Sequence, residues 1–230
     1  MDLKEVSSSG HPHPWELCRS FIVENIIRYE KVATILDVGC GDAFIMDHLQ
    51  KRFSLKAIGV DLNYTGDRKE IVRKISESPL KSFDVVLMMD VLEHVTSPLN
   101  LFLEASSFLK KEGLCIVTVP AFKHLFSEHD IFLNHLHRYT LKQLHQDINL
   151  KEFEVIDSHY FLTSLYLVRL LQKFLGIRKA NINWAYKEKN LVTIILKSLF
   201  ISDYFICRIF SKIGVNLPGL SCILVLRKRI

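Results

Sequence analysis

The segment from Ile35 to Ala43 constrains the fold of this chain more than any other part of it. It reads Ile-Leu-Asp-Val-Gly-Cys-Gly-Asp-Ala, an apolar strand that carries Asp37 and then Gly39 and Gly41 into a tight turn. Glycine lets the backbone approach a ligand closely, because it has no Cβ and adopts positive φ at little cost. Asp61, twenty residues after Gly41, ends the next apolar run and is of the type that binds ribose hydroxyls. The pattern predicts a nucleoside-bearing cofactor at the edge of a parallel sheet.

Strand and helix signals alternate from about residue 15 to residue 161, as in a doubly wound α/β sheet. Helical spacing predicts helices over Trp15–Tyr29, Phe44–Lys51, Pro98–Leu109 and Leu141–Asn149, the last with Thr140 as its N-cap. Apolar runs predict strands over Thr34–Val38, Ala57–Asp61, Glu70–Lys74, Phe83–Met89, Leu114–Pro120, Phe153–Tyr160 and Ser221–Arg227.

The composition is that of a globular protein in a reducing compartment. The 230 residues are 49% hydrophobic and 24% charged, which is enough to bury one full core. Five scattered cysteines without a Cys-x-x-Cys pair argue against a disulfide framework and a structural zinc site. The first residues are polar and contain no apolar signal core, so secretion is not expected. The predicted location is cytoplasmic.

The glycine turn resembles the first motif of class I S-adenosylmethionine-dependent methyltransferases, Asp-x-Gly-x-Gly-x-Gly, with Ala43 in place of the last glycine. Phe44 stands where a dinucleotide fingerprint has its third glycine, which argues against a nicotinamide-dependent oxidoreductase. The resemblance extends to Ser82–Val86 and Asp90–Val95, which match the fourth strand and the turn after it. It implies a Rossmann-like, doubly wound seven-stranded sheet, mostly parallel with an antiparallel last strand, and S-adenosylmethionine as cofactor. The cofactor-binding residues that it implies are Asp37, Val38, Gly39, Cys40, Gly41, Asp61, Leu62, Met89, Asp90 and Val91.

The chain resembles one bacterial subfamily of these enzymes more closely. Its members carry His-Asp, then a His, then Arg-Tyr-Thr after the fifth strand, as His129-Asp130, His135 and 138–140 do here. His13-Pro14-Trp15 with Arg19 and the closing Pro-Gly-Leu-Ser segment match the same subfamily. Two departures stand out: His137 replaces a common second arginine, and no aspartate ends the third strand. Glu77 and Ser76 are the remaining candidates for adenine contacts.

Histidine is suited to act as the base, because its ordinary pKa lies near neutrality. We rank His129 first, His135 second and His94 third as catalytic candidates; the alternative is that each only fixes a loop. Asp130 could orient a neighbouring histidine, and Arg138 could pair with an acidic residue or an acidic substrate group. Glu93, His94, Glu128, His129 and His135 could also converge on a metal ion, but no ligand spacing is diagnostic, so no metal ligand is assigned.

The positive charge is concentrated near the C-terminus. Residues 1–150 carry 17 Lys and Arg against 20 Asp and Glu, a net charge of −3, whereas residues 151–230 carry 13 against 5, a net charge of +8. Helices over 161–177 and 191–212 are too short or too interrupted to span a bilayer and have basic groups opposite apolar ones. They predict peripheral contact with an anionic membrane, at its inner face. A lid packed on the sheet is the alternative, and no nucleic-acid motif accompanies the charge.

These observations predict one methyltransferase domain over 1–230, with a helical cap (1–33), a cofactor-binding core (34–161), an amphipathic insertion (162–216) and a final strand (217–230). The expected reaction is methyl transfer to a small lipophilic or lipid-linked acceptor. Oxygen is favoured as the acceptor atom, and nitrogen and carbon remain open. The alternative is a catalytically silent, cofactor-binding membrane or partner module.

Overall fold

A computed structural model describes residues 13–148, 150–176 and 190–229. Within these ranges seven strands form one sheet in the order β3-β2-β1-β4-β5-β7-β6. The pairs among β1 to β5 are parallel, and β7 runs antiparallel to both β5 and β6. This is the predicted Rossmann-like sheet with its antiparallel last strand.

The strands are β1 Thr34–Val38, β2 Lys56–Val60, β3 Ile71–Val72, β4 Phe83–Met89, β5 Leu109–Pro120, β6 Phe153–Phe161 and β7 Ser221–Lys228. The helices are α1 Pro14–Ile27, α2 Phe44–Arg52, α3 Pro98–Ser107, α4 Glu128–Phe132, α5 Leu141–Asp147, α6 Thr163–Phe174 and α7 Leu191–Lys212. Short 3₁₀ turns lie at Ile75–Glu77, Leu92–His94, Lys123–Leu125 and Leu150–Glu152.

Two hydrophobic cores cover the two faces of the sheet, because successive strand residues point to opposite sides. One contains Phe102 of α3 and Leu144 of α5. The other contains Ile22 of α1, Met46 of α2 and Tyr204 of α7. Helices on both faces leave the carboxyl ends of the parallel strands as the open edge where ligands bind in such sheets.

Several predicted boundaries are wrong by a few residues. The predicted strand Glu70–Lys74 is only two residues long, and the predicted helix Pro98–Leu109 ends at Ser107. Strand β5 begins at Leu109 rather than Leu114, since the polar 110–113 segment continues the strand through a register shift, with Glu112 at φ 61°. The predicted helix end at Asn149 and the insertion residues 177–189 lie outside the described residues.

Helix α6 turns its apolar face away from the protein. None of its residues is buried, and Phe174 and Leu171 are 87% and 58% exposed. Arg169 and Gln172 are half-buried. The predicted segregation of polar and apolar groups is present, but Arg169 and Gln172 are more buried than Leu171 and Phe174, and Leu165 is the apolar residue that packs against the core. A lid that buries its apolar face on its own sheet would have the reverse orientation.

Helix α7 packs more tightly than α6. It buries Phe200, Tyr204 and Cys207, and Phe205 meets Phe21 of α1 at a ring separation of 6.4 Å. The predicted basic face is corrected at Arg208, whose Nε donates to Asp157 of β6 at 2.6 Å instead of being free for head groups. No helix in the described ranges combines the length and hydropathy needed to cross a membrane.

Candidate functional site

A cleft opens between α1 and the carboxyl ends of β1 and β4. It encloses about 290 Å³ of space that is partly open to solvent. Four predicted cofactor residues line it, namely Asp37, Gly39, Cys40 and Met89. Four further residues complete the lining: Glu16, Arg19, Phe44 and Ile45.

The glycine turn forms the floor of this cleft. Gly39 and Cys40 donate their N–H groups to the carbonyl of Val60, at 2.7 and 3.2 Å, which fixes the turn against β2. Gly39 has a φ of 73°, and a Cβ added to it would collide with the side chain of Val91. The turn therefore requires glycine here both for its backbone conformation and for space.

Asp61 follows β2 and connects the glycine turn to the loop after β2. Its Oδ2 accepts the N–H of Gly41 at 3.0 Å, and its Oδ1 accepts the N–H of Asn63 at 2.9 Å. Each carboxylate oxygen has a second lone pair, so both can still accept a hydroxyl. Leu62, also a predicted cofactor residue, is 67% exposed beside it.

Asp90 follows β4 in a left-handed conformation with φ 56°. Its Oδ2 accepts Nη1 of Arg19 at 2.6 Å, and its Oδ1 accepts the hydroxyl of Thr118 at 2.9 Å. The guanidinium of Arg19 also lies over Trp15, 5.2 Å from the ring centre, and its buried Nε has no hydrogen-bond partner in the described structure. Helix α1 thus brings a buried cation to the strand end.

Asp37 is 2% exposed at the base of the cleft. Burial raises the pKa of this carboxyl to about 7, because the charged form loses its hydration. A cofactor group that donates a hydrogen bond would stabilise the ionised form.

The loop after β5 is organised by Asp130. This fully buried carboxylate accepts His135 Nδ1 at 2.9 Å and Arg138 Nε at 2.7 Å on Oδ1. Its Oδ2 accepts the backbone N–H and the hydroxyl of Ser127. Burial alone would raise the pKa of Asp130, but the hydrogen bonds from His135 and Arg138 outweigh it and hold the pKa well below its ordinary value. Asp130 therefore orients His135, and Arg138 pairs with an acidic residue of its own loop.

The predicted histidines do not all meet. His94 and His135 are neighbours, with ring centres 4.7 Å apart, and Glu93 completes a group whose ligand atoms lie within 4.8 Å of one another. His129 is exposed on α4 and is not in this group. This geometry favours His135 and His94 over His129, which the sequence ranked first.

Sequence reasoning missed the part that α1 plays in the cleft. Arg19 entered only through a resemblance, and Glu16 not at all. The available signal was the helical spacing of Trp15 and Arg19, which are four residues apart and share a helix face. Glu77, an adenine candidate, accepts the backbone N–H groups of Arg73 and Lys74.

Comparison with known proteins relates this chain to methyltransferases. A curated relative is the ubiquinone biosynthesis O-methyltransferase of Pelagibacter ubique, 26% identical over 120 residues, which are 42% of this chain and 50% of that protein. The chain thus matches half the length of this relative. The crystal structure of the [4+2]-cyclase SpnF is similar with a TM-score of 0.56 at 15% identity, over 93% of this chain and 81% of that one. The plantazolicin methyltransferase BpumL, solved with SAH, gives a TM-score of 0.55 at 13% identity, over 94% and 84%.

At such identities the two structures establish the fold alone. The family follows from a different match, since the methyltransferase domain family covers residues 15–174, well over half of the chain. This confirms the predicted enzyme class, with S-adenosylmethionine as the cofactor of the class. The chain belongs to the methyltransferase domain family.

Proposed function

We propose that S-adenosylmethionine binds in the cleft between α1 and the glycine turn, and that its methyl group passes to the hydroxyl of a small lipophilic acceptor. The observation that carries this proposal is the turn itself, in which Gly39 leaves no room for a side chain and Asp61 lies against Gly41. Asp61 binds the two ribose hydroxyls with its remaining lone pairs.

Arg19 binds the carboxylate of the methionine part. Its guanidinium is buried, lines the cleft and has an unused Nε donor. A guanidinium binds a carboxylate in a bidentate manner. In this arrangement Asp90 holds Arg19 in place, while Met89 and Val91 pack beside the cofactor.

The chemistry requires little beyond alignment, because the sulfonium methyl is already electrophilic. His135 acts as the base that accepts the hydroxyl proton, with His94 beside it. Asp130 fixes the ring of His135 by accepting from Nδ1, which leaves Nε2 to take the proton. The name of the Pelagibacter ubique relative, an O-methyltransferase, supports oxygen as the acceptor atom.

We propose further that the insertion contacts an anionic membrane. Within 163–176 and 190–216, its described stretches, the one acidic residue is Asp203, which is buried and accepts the N–H groups of Thr163 and Ser164. The exposed surface of these stretches is therefore apolar and basic. Such a surface inserts apolar side chains among lipids while lysines meet anionic head groups. In this proposal 1–33 caps the cofactor, 34–161 binds it, 162–216 faces lipid and 217–230 completes one domain.

Calorimetry with Asp61→Asn tests the cofactor site. We expect wild-type protein to bind S-adenosylmethionine and S-adenosylhomocysteine and not NAD. The variant should bind 10- to 100-fold more weakly, since hydrogen bonds to a charged group contribute about 1.5–3 kcal/mol. Asp67→Asn is the control, because Asp67 is exposed in the same loop. Equal affinities in the two variants would contradict the ribose assignment.

Incubation with methyl-labelled cofactor and phenolic acceptors that carry or lack an alkyl tail tests the acceptor class. We expect label to enter the hydroxyl of the tailed acceptor. Cofactor binding without any transfer, across hydroxyl, amine and carbon acceptors, would favour the catalytically silent alternative.

A further inference from the structure

The turn after β4 and the loop after β5 bring a carboxylate and two imidazoles together outside the cofactor cleft. Glu93 and His94 come from the first segment and His135 from the second, and one ligand atom of each lies within 4.8 Å of the others. None of the three lines the cleft. The segments are fixed to one another, since the N–H of Leu136 donates to the carbonyl of Glu93 at 2.7 Å and the hydroxyl of Tyr139 donates to that of Leu92 at 3.1 Å.

Glu93 is the unusual member of this group. Its side chain is fully buried, and neither carboxylate oxygen has a hydrogen-bond partner in the described structure. A buried carboxyl without partners is costly, and such groups in proteins are normally paired or bound to a metal. The other two members of the group, His94 and His135, carry imidazoles, and neutral imidazole is a common metal ligand.

His135 is held as metal-binding histidines are held. Its Nδ1 lies 2.9 Å from Oδ1 of Asp130, so Nδ1 carries the proton and Nε2 presents its lone pair. Asp130 is fixed in turn by Arg138 and Ser127. A carboxylate behind a histidine fixes the tautomer and makes the other nitrogen a better ligand.

We propose that Glu93, His94 and His135 bind one divalent transition-metal ion. Two nitrogens and one carboxylate oxygen suit Zn²⁺, Fe²⁺, Co²⁺ or Mn²⁺ better than Mg²⁺ or Ca²⁺, which prefer oxygen ligands alone. Bonds of about 2.0–2.2 Å place the ligand atoms of a tetrahedral ion about 3.4 Å apart, so each pair of ligand atoms, now within 4.8 Å, must draw together by at most about 1.4 Å. Three protein ligands leave a coordination position free for water or an acceptor oxygen. With the ion bound, Nε2 of His135 is a ligand and cannot act as the base; an acceptor hydroxyl at the open position would instead be acidified by the ion and lose its proton to solvent. That role for the acceptor rests on the proposed function, whereas metal binding does not.

The test is metal binding by the full chain, without any need for methyl transfer. EDTA-treated, gel-filtered protein is titrated with Zn²⁺ in a calorimeter and with Co²⁺ followed by its visible absorption. We expect one ion per chain and a rise in the thermal midpoint on binding. Glu93→Gln and His135→Ala should weaken binding at least tenfold, and Asp130→Asn by 10- to 100-fold. His129→Ala, from the same loop but outside the group, should bind like wild type.

A measurement on wild-type protein keeps the test valid if the variants fail to fold. Zn²⁺ should shift the imidazole NMR signals of His94 and His135 and leave those of His129 in place. Absence of stoichiometric binding, or wild-type affinity in Glu93→Gln and His135→Ala, would overturn the proposal. Loss of metal binding with intact methyl transfer, or the reverse, separates this proposal from the proposed function.

Discussion

At the scale of single residues, the turn between β1 and α2 places three positions in the left-handed region. Gly39, Gly41 and Ala43 have φ values of 73°, 55° and 68°. Two of them are glycine, for which this conformation is inexpensive. The third is an alanine whose side chain is fully buried. Gly39 has no space for a Cβ, whereas Ala43 already accommodates one.

Gly39→Ala and Ala43→Gly should therefore have opposite consequences for the same motif. We expect Gly39→Ala to destabilise the protein by about 1–3 kcal/mol through left-handed strain and overpacking against Val91, and to weaken cofactor binding. Ala43→Gly relieves about 1–2 kcal/mol of left-handed strain. It also removes a buried methyl group and raises the conformational entropy of the unfolded chain, which together destabilise the protein by a similar amount. Its free energy of unfolding should stay within about 1 kcal/mol of wild type. Urea denaturation measures both, and a stable Gly39→Ala variant with normal affinity would contradict this account.

Asp37 predicts a pH dependence of stability in the cofactor-free protein. Its pKa is about 7 in the folded state against 3.8 ordinarily, so between these values the unfolded chain has lost a proton that the folded chain retains. Stability contributed by this group therefore falls as the pH rises from about 4 to about 7. In Asp37→Asn this component is absent, so the thermal midpoint should fall less between pH 5 and pH 7.5 than in wild type. Asp67→Asn is the control, and its thermal midpoint should depend on pH as that of wild type does. If the midpoint of Asp37→Asn also falls by the wild-type amount, the raised pKa of Asp37 is contradicted.

At the scale of elements, the loop between β5 and α5 is fixed by one buried carboxylate rather than by regular structure. Helix α4 is only five residues long, yet Asp130 ties it to His135, Arg138 and Ser127. Arg138 continues the network to the carbonyl of Ala121 at the end of β5. The position of His135 thus depends on Asp130 more than on the local backbone.

Asp130→Asn should destabilise the protein strongly. Removing one partner of a buried ion pair costs about 3–5 kcal/mol, because Arg138 is left without its counter-charge. The pKa of Asp130 is held below its ordinary value, so its contribution is present above that value and is lost as the pH falls. The stability difference between variant and wild type should therefore shrink in acid. Glu128→Gln, an exposed change in the same helix, should have little effect on urea denaturation.

The elements also show what sequence reasoning could reach. Strands β1 and β4 were predicted to the residue, because each is a mostly apolar run, with one aspartate, between turn signals. The start of β5 was missed because three charged residues at 110–112, followed by Gly113, are not typical of a strand. The cofactor turn was found since its residues are contiguous. The contact between Arg19 and Asp90, 71 positions apart, was not predicted, because it depends on the tertiary packing. For the same reason the sequence could not select Glu93, His94 and His135 from the five residues that it offered as metal ligands.

At the scale of the whole molecule, one helix presents apolar side chains to solvent. Helix α6 exposes Leu167, Leu171 and Phe174. It is held to the body by polar contacts: Lys173 Nζ donates to the carbonyl of His124 at 2.6 Å, and Asp203 of α7 accepts the first N–H groups of α6. Burial, and then the charge of Arg138, lower the pKa of Arg169, so α6 lies near the Asp130 loop. The exposed apolar face of α6 therefore lies close to the loop that carries Asp130 and His135.

Replacing Leu171 and Phe174 together by Glu should abolish membrane binding. We expect wild-type protein to sediment with vesicles that contain phosphatidylglycerol and to remain in solution with pure phosphatidylcholine. Binding should weaken with salt, because the lysine contribution is screened. The double variant should stay in solution with both vesicle types at an unchanged thermal midpoint. Leu103→Glu, at an exposed position of α3, is the control, and equal sedimentation of both variants would argue against a membrane role for α6.

The placement of β7 has a consequence for synthesis on the ribosome. This strand lies between β5 and β6 and pairs with both, although it comes last of the seven. Until Ser221–Lys228 has left the ribosome, β5 and β6 each lack a neighbour and present unpaired backbone N–H and C=O groups that can pair with other chains. The sheet of the nascent protein therefore stays open until β7 has emerged, and chaperone demand should peak just before this strand leaves the ribosome.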